Sequence, residues 1–486
     1  MSTGEAARRY HRLTSYQPER EWTDPVDDPL VRQDFQPNDL DRLPPPVKCY
    51  PPGLPVTPLS RDLPAVPTSA TAVLAGTGNH PPTGLDLPAL ARLLHLSAGV
   101  VRTTQHPARG RILFRAAGSA GARYPYEVYL AARGIPGLPD GVHWYDPVGH
   151  ALVRVAPAPE GEVSTLVVTG VPWRTGWRYS ERGYRHIYWD AGTLLAQQQA
   201  LATSAGLPAL LRTTFPDAGV ARLVGADGIH EFPVALLSLG EGTPALGSTG
   251  PAVAGTIDRE PLEFPLVTAT QRAGDGERLG EPWPDGAPLA GPVPDSAPLD
   301  EVILRRGSTR LLLRGAAVPR RDFEWSLAAA VRGLAEIRPD PQFVAVHAVD
   351  GMEPGLYRWP RLDRPVRTGD LRDELQRICL DQGLGGDASY VVMSTADLAT
   401  VDDRGYRGAQ LAAGIVEGRL HLAAYAFGAG ASGMTFLDSE LPGLLGEPLD
   451  GLLFTCVGIP EYANRRGGRP GDPATVRPVT PRLADS

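Results

Sequence analysis

One four-residue motif occurs twice in this chain, and its surroundings repeat with it. Arg182-Gly183-Tyr184-Arg185 is followed, after five residues, by Ala191-Gly192, and Arg404-Gly405-Tyr406-Arg407 is followed at the same interval by Ala413-Gly414. A further glycine stands fourteen residues on in both copies, at Gly206 and Gly428. Three features in one register identify a duplication, so the chain reads as two copies of one fold with a helix at this position in each. Two similar units pack about a pseudo-twofold axis and can place a shared site at the seam. Length agrees, because 486 residues exceed the size at which a single core keeps growing.

The stretch from Gly240 to Pro298 is dense in Pro and Gly, has no sustained periodicity, and is too long for a loop inside one compact domain. It reads as a linker, with a patch from Pro261 to Leu266 that packs on the surface as it passes. The expected division is an extended N-terminal arm over 1–65, a first unit over 66–242, a linker over 243–298 and a second unit over 299–486.

Within the first unit, apolar spacing through Leu90, Leu93, Leu94 and Leu96 predicts a helix from Leu87 to Val100. A small-residue stretch, Gly118 to Pro125, precedes an alternating strand through Val128 and Leu130. Such a stretch is either a tight turn or a place where backbone approaches a ligand. Gly141 to Pro147 reads as a strand and turn, Trp173, Trp177 and Tyr179 with Arg174, Arg178, Arg182 and Arg185 as an aromatic and cationic loop, Tyr188 to Ala205 as a helix, and Val234 to Leu239 as a strand. That loop suits either a substrate wall or a structural aromatic-arginine stack. In the second unit the expected elements are a helix containing Trp325, Leu327 and Leu334, strands at Phe343–Val346 and Tyr390–Met393, a segment at 354–360 that echoes 141–147, and a helix from Leu411 to Phe427.

Arg305-Arg306-Gly307-Ser308-Thr309-Arg310, just after the linker, is the densest candidate anion site. Guanidinium forks match phosphate oxygens, hydroxyls add neutral donors, and a helix starting just after the cluster would add free backbone N–H groups. A solvated basic turn is the equally weighted alternative. Elsewhere the composition is that of a globular enzyme, 42% hydrophobic and 21% charged. A net charge of -8 argues against a general nucleic-acid or anionic-membrane binder. Cys49, Cys379 and Cys456 form no CxxC pair, so no metal site or disulfide framework is expected and a reducing cytoplasm is the natural compartment. The polar N-terminus and the absence of any run of about 18 apolar residues argue against a signal peptide and a membrane span.

Several local patterns together resemble the SagB/ThcOx-type branch of the nitroreductase fold, FMN-dependent dehydrogenases that oxidise azoline rings to azoles in ribosomally made peptides. They are Tyr10-His11-Arg12-Leu13-Thr14, Ser119 to Pro125, Gly141 to Pro147, Asp190-Ala191-Gly192, and Arg306, Ser308 and Arg310. The resemblance implies an α+β fold of two tandem nitroreductase-like domains forming a pseudo-dimer with an extended N-terminal arm. It implies FMN at the seam, held by Arg306, Ser308, Arg310, Gln382, Arg465 and Arg466 from one unit and by Ser119, Ala120 and Arg123 from the other. The first unit has only Leu74 to Asn79 in place of the arginine cluster, and the second lacks a Ser-Ala-Gly loop before Phe343, so one complete and one degenerate site are expected per chain. Gly118 stands where the family usually has proline, and Arg178-Tyr179 stands where it carries a Lys-Tyr pair needed for oxidation.

Arginine does not act as a base, so Tyr179 is the expected proton acceptor, with Arg178 stabilising its anion and His186 the substitute. The function implied is azoline oxidation on a modified precursor peptide, with a cyclodehydratase or other biosynthetic enzymes as partners and room for further homo-oligomerisation. A flavin-dependent reductase and a non-catalytic binding partner are the alternatives.

Overall fold

The computed structural model describes residues 3–20, 24, 26–78, 84–334 and 342–483. Two antiparallel sheets dominate it. In the first, the strands run in the order Val56–Pro58, Ala151–Ala156, Gly141–Asp146, Tyr126–Ala132, Thr165–Gly170, Phe232–Leu239, Ala209–Arg212. In the second, the order is Arg367–Thr368, Gly355–Arg358, Gln342–Val346, Tyr390–Ala396, Asp450–Gly458, Gly430–Met434. Leaving aside the short edge strand at Val56, each sheet places its six strands, counted along the chain, in the order 3-2-1-4-6-5. Each sends out one long helix between its fourth and fifth strands, Gly183–Ser204 in the first and Asp403–Ala426 in the second. The expected helix is therefore present in both halves and takes in the repeated motif itself, from Gly183 in the first copy and from Arg404 in the second, so in each case it begins earlier than apolar spacing alone suggested. Asp402 caps the second helix by accepting from the Gly405 N–H.

The two long helices pack on one another at the repeated glycines. A Cβ on Gly192 would lie inside van der Waals contact of the Leu411 carbonyl, and one on Gly414 inside that of the Trp189 carbonyl. Only hydrogen at these positions lets the backbones approach so closely, and the indole of Trp189 completes the contact by donating to Gln410 Oε1 at 2.6 Å. The largest hydrophobic core is continuous between the halves, drawing on Leu194, Leu201 and Tyr188 from one and Leu411, Leu420 and Tyr406 from the other. Smaller cores cover the outer faces of the two sheets.

The repeated arginines explain themselves here. Arg182 and Arg185 donate to Asp438 at 2.6 and 2.5 Å, reaching from the first half into the second. Arg404 and Arg407 both hold Asp217, reaching the other way. The motif is thus a reciprocal clamp. Burial pushes the Asp438 carboxyl up, but Arg182 and Arg185 outweigh it and hold the group below the usual carboxylate range.

Four expectations are corrected. The arm is not wholly extended, because Glu5–Leu13 is a helix that buries Ala7, Tyr10 and His11. Trp173 and Trp177 lie in a helix, Pro172–Tyr179, with their indoles buried and donating to Asp258 and to the Asp39 carbonyl, so they are core rather than substrate wall. The linker contains a helix, Pro265–Ala273, and Phe264 and Leu266 are buried rather than surface-packed. Leu334 falls after the end of the helix Arg320–Val331.

Candidate functional site

The loop from Ala116 to Pro125 is built on Asp190 of the first long helix. Ser119 Oγ donates to Asp190 Oδ2 at 2.5 Å and accepts from the Tyr124 N–H at 2.7 Å, while the Ala120 N–H donates to Asp190 Oδ1 at 3.1 Å. Burial pushes the Asp190 carboxyl well up, partly offset by those two donors. The loop carries backbone strain: Ala122 and Tyr124 both take positive φ, 54° and 46°. Non-glycine residues in that region cost of order 1 kcal/mol or more each and persist where surrounding structure dictates them, as at binding sites.

Arg306 crosses the seam to this loop. It is buried, donates from Nη2 to the Ala116 carbonyl at 2.7 Å, lies 3.4 Å from His421 Nδ1, and keeps a buried Nε with no partner. His421 in turn lies 3.5 Å from Glu417, one turn back on the second long helix. Arg102, on the strand Val100–His106, ties the backbone together by donating to the carbonyls of Leu304, Arg306 and Arg465 at 2.5, 2.9 and 2.6 Å. Burial holds its guanidinium down at about 10, so it remains charged at neutral pH.

The arginine cluster does not precede a helix, as its phosphate reading assumed. It follows the C-terminus of the helix Leu299–Arg305 and then runs alongside the strand Gly430–Met434, with Ser308 bridged to Ala431. The N–H groups of Thr309 and Arg310 are consequently taken, by the Ala431 carbonyl at 2.9 Å and the Tyr462 hydroxyl at 3.0 Å. Side chains, rather than a helix start, are what the cluster offers. Ser308 is exposed and Arg310 half-buried. Arg465 and Arg466 are exposed on the rim of a surface cleft of about 520 Å³, Arg465 donating to the Thr475 carbonyl and Arg466 pairing with Glu301.

Tyr179 ends the helix Pro172–Tyr179 and is half-buried. Its ring stacks on His186 with centroids 3.9 Å apart and planes at 19°. Arg178 holds its guanidinium carbon 5.7 Å from the same ring. A Cβ on Gly121 would stand 3.0 Å from Arg178 Cδ and 3.3 Å from the Tyr179 hydroxyl, so this pair borders the Ser119 loop directly. Burial, then Arg182, Arg185 and Arg178, hold the His186 imidazole well below its usual range, and neither ring nitrogen has a partner. Ser180, next in the chain, has φ 49° and borders a cleft of about 530 Å³ whose other walls include Tyr16, Arg32 and Phe35 of the arm.

Arg123 lies over the Trp177 ring and, like Arg310, feels the charges of Tyr179 and Arg178. Ser119, Ala120, Arg123, Arg178, Tyr179, Arg306 and Arg310 are thereby brought into one region, with Arg465 linked to it through Arg102. Gln382 is not: it lies between the helices Arg372–Ile378 and Leu384–Asp387, bridged to Leu483, and touches none of these residues among the contacts of the described chain. Arg102, Glu417 and His421 were missed by sequence reasoning. The Glu-x-x-x-His spacing on one helix face was a readable signal, whereas nothing local marks Arg102.

The two seams differ. In the register fixed by Ala191-Gly192 and Ala413-Gly414, Asp190 corresponds to Ala412, Glu417 to Leu195 and His421 to Gln199, so the polar set exists once. At the opposite seam, the turn after the helix Ala70–Ala75 is covered by Arg332, which donates to the carbonyls of Leu74, Asp285 and Gly286. Asn79, the last residue of that degenerate segment, lies outside the described residues. Among the described residues, no group of His, Cys, Asp and Glu could hold a metal ion, and no helix is long and apolar enough to cross a membrane.

No family model matches the chain. A protein of Methanocaldococcus jannaschii named "Putative nitroreductase MJ1384" is 28% identical over 142 residues, covering 26% of this chain and 70% of its own. Among solved structures, "a putative nitroreductase" from Anabaena variabilis superposes with a TM-score of 0.72 at 24% identity, covering 94% of this chain and 99% of that one. The chain therefore shares the fold of that nitroreductase-named protein over nearly its whole length, both sheets included.

Proposed function

We propose that this chain is an FMN-dependent dehydrogenase that oxidises azoline rings of a ribosomally made, already cyclised peptide to azoles. In this reading it is a covalent pseudo-dimer of two nitroreductase-like units, 66–242 and 299–486, joined by the linker 243–298 and overlaid by the arm 1–65. The supporting observation is that the Ser119 loop, held by Asp190 and bordered by Tyr179, meets Arg306 of the second half at one seam, with the charge of Arg310 acting on the same Tyr179, while among the described residues the other seam has no such set.

The donors present fit FMN. Arg306 and Arg123 each keep a buried Nε without a partner, and the Arg310 guanidinium has no carboxylate among the described residues. Arg306, Ser308 and Arg310 would hold the phosphate, Ser119, Ala120 and Arg123 the ring side, and Arg465 and Arg466 the outer rim. Bound FMN supplies a hydride acceptor. Tyr179 takes the proton that leaves carbon, and Arg178 beside its ring stabilises the phenolate. His186, kept neutral beneath the ring, fixes the orientation of Tyr179 without adding a competing charge. An upstream cyclodehydratase would supply the azoline, and oxygen would receive the electrons.

A second reading, a flavin-dependent reductase, is favoured by the nitroreductase names of the two relatives. Co-expression with a precursor peptide and its cyclodehydratase separates the two. Dehydrogenation lowers the peptide mass by about two daltons per ring, the mass of the two hydrogens lost. An unchanged peptide, together with flavin-dependent consumption of NADPH, would support the reductase instead.

A further inference from the structure

Several buried arginines of this fold are neutralised by a carboxylate: Arg174 by Glu127, Arg182 and Arg185 by Asp438, Arg407 by Asp217. Others, such as Arg102 and Arg115, are satisfied by backbone carbonyls. Three arginines around Tyr179 have neither kind of partner among the described residues. Arg178 borders Gly121, and Arg123, two residues further on, lies with its guanidinium carbon 4.9 Å from the Trp177 ring centroid and its Nε buried without a partner. Arg109, half-buried on the turn joining the strands Val100–His106 and Gly110–Arg115, adds a third charge that acts on Arg123. None of the three has an ion pair or a side-chain hydrogen bond among the described residues. Burial first, then Arg109, Arg178 and Arg174, depress the Arg123 guanidinium to about 10 against the opposing Tyr179. Three neighbouring cations, two of them over aromatic faces, repel one another until an oxyanion sits between them.

We propose that Arg109, Arg123 and Arg178 form an oxyanion subsite, separate from Arg306–Arg310, that binds a carboxylate or phosphate carried by the molecule reacting beside Tyr179. This deepens the function proposed above and rests on it only for what the anion is attached to. On a chain of net charge -8, such a local cationic mouth also steers an anionic substrate toward the seam.

The test is calorimetry on the full chain as purified, at low ionic strength, with two probes: an N-acetylated hexaglutamate as carboxylate source and NADPH as phosphate source. Flavin content is read from absorbance in parallel. One probe saturates, and its identity names the source. Arg109→Gln and Arg123→Gln each weaken binding roughly tenfold. Arg123→Lys retains most of the affinity, which excludes a folding defect. Arg320→Gln, the same charge change at an exposed site paired with Glu324, leaves it unchanged. The subsite is overturned if neither probe binds or if Arg320→Gln weakens binding equally. It is also overturned if Arg109→Gln, at an arginine given no part in holding FMN, loses flavin in step with probe affinity, because the cluster would then belong wholly to the FMN site. Wild-type chain that binds a probe but carries no flavin would support the subsite and refute the dehydrogenase reading.

Discussion

Replacing Asp438 by asparagine probes the reciprocal clamp that joins the halves. The carboxylate accepts from Arg182 Nη1, Arg185 Nη1 and the Tyr16 N–H, the last at 2.8 Å. The side chains of Arg182, Arg185 and Asp438 are 2%, 0% and 5% exposed, so the substitution strands two buried guanidiniums rather than releasing them to water. Removing one partner of a buried pair typically costs about 3–5 kcal/mol, several times the worth of a surface pair. The cost should appear as a lowered denaturation midpoint in urea at neutral pH, followed by circular dichroism and by tryptophan fluorescence, to which Trp189 at the seam contributes. The pH dependence has a definite sign. An unfolded Asp titrates near about 3.9, and the folded Asp438 titrates lower, so its stabilisation is fully present above that value and is lost as pH falls through the folded one. The gap between wild type and Asp438→Asn should accordingly be constant from neutrality down to mildly acid pH and close below it. A neutral-pH loss under about 0.5 kcal/mol, the size of a surface effect, would refute the clamp.

Other consequences are checked as directly. Gly414→Ala would drive a methyl group into the Trp189 carbonyl and should destabilise the seam by about 1–3 kcal/mol or more, read in the same urea titration. Arg306→Ala should weaken FMN roughly tenfold or more by equilibrium dialysis, while Arg320→Ala leaves it unaltered. Tyr179→Phe should bind FMN normally but slow flavin bleaching by peptide substrate ~10²–10⁴-fold in anaerobic stopped flow, and Arg178→Lys should stay active; equal rates for Tyr179→Phe and wild type would remove Tyr179 as the base.

The repeated motif was legible because it is written in small residues and charges with fixed spacing, and the two sheets carry it in the same strand order. Gly192 and Gly414 are irreplaceable where two backbones touch, and each arginine pair clamps its own aspartate across the seam, Asp438 and Asp217. The Leu87 helix and the strands at Tyr126, Phe232 and Tyr390 were legible from their periodicity. The helix Pro172–Tyr179 was not, because its two tryptophans, two arginines and a glycine give a composition that suits loops, and burial against the arm and linker overrides it. The short helices Glu5–Leu13 and Pro265–Ala273 were hidden in the same way, being stabilised by tertiary packing rather than propensity. Half of the candidate site was readable in the sequence, Ser119 to Pro125 and Arg306 to Arg310 as local pattern and Tyr179 through the resemblance. The other half, Arg102, Glu417 and His421, gains meaning only when residues hundreds of positions apart are brought together.

In the proposed function one seam holds FMN and the other, where Arg332 covers the turn after Ala75, holds none. Flavin released by heat from chain saturated with FMN and then desalted, counted by absorbance against protein determined by amino-acid analysis, tests it most directly. One equivalent per chain is expected, falling toward zero in Arg306→Ala and unaffected by Arg332→Ala at the covered seam. Two equivalents per chain, or one equivalent that survives Arg306→Ala, would contradict it.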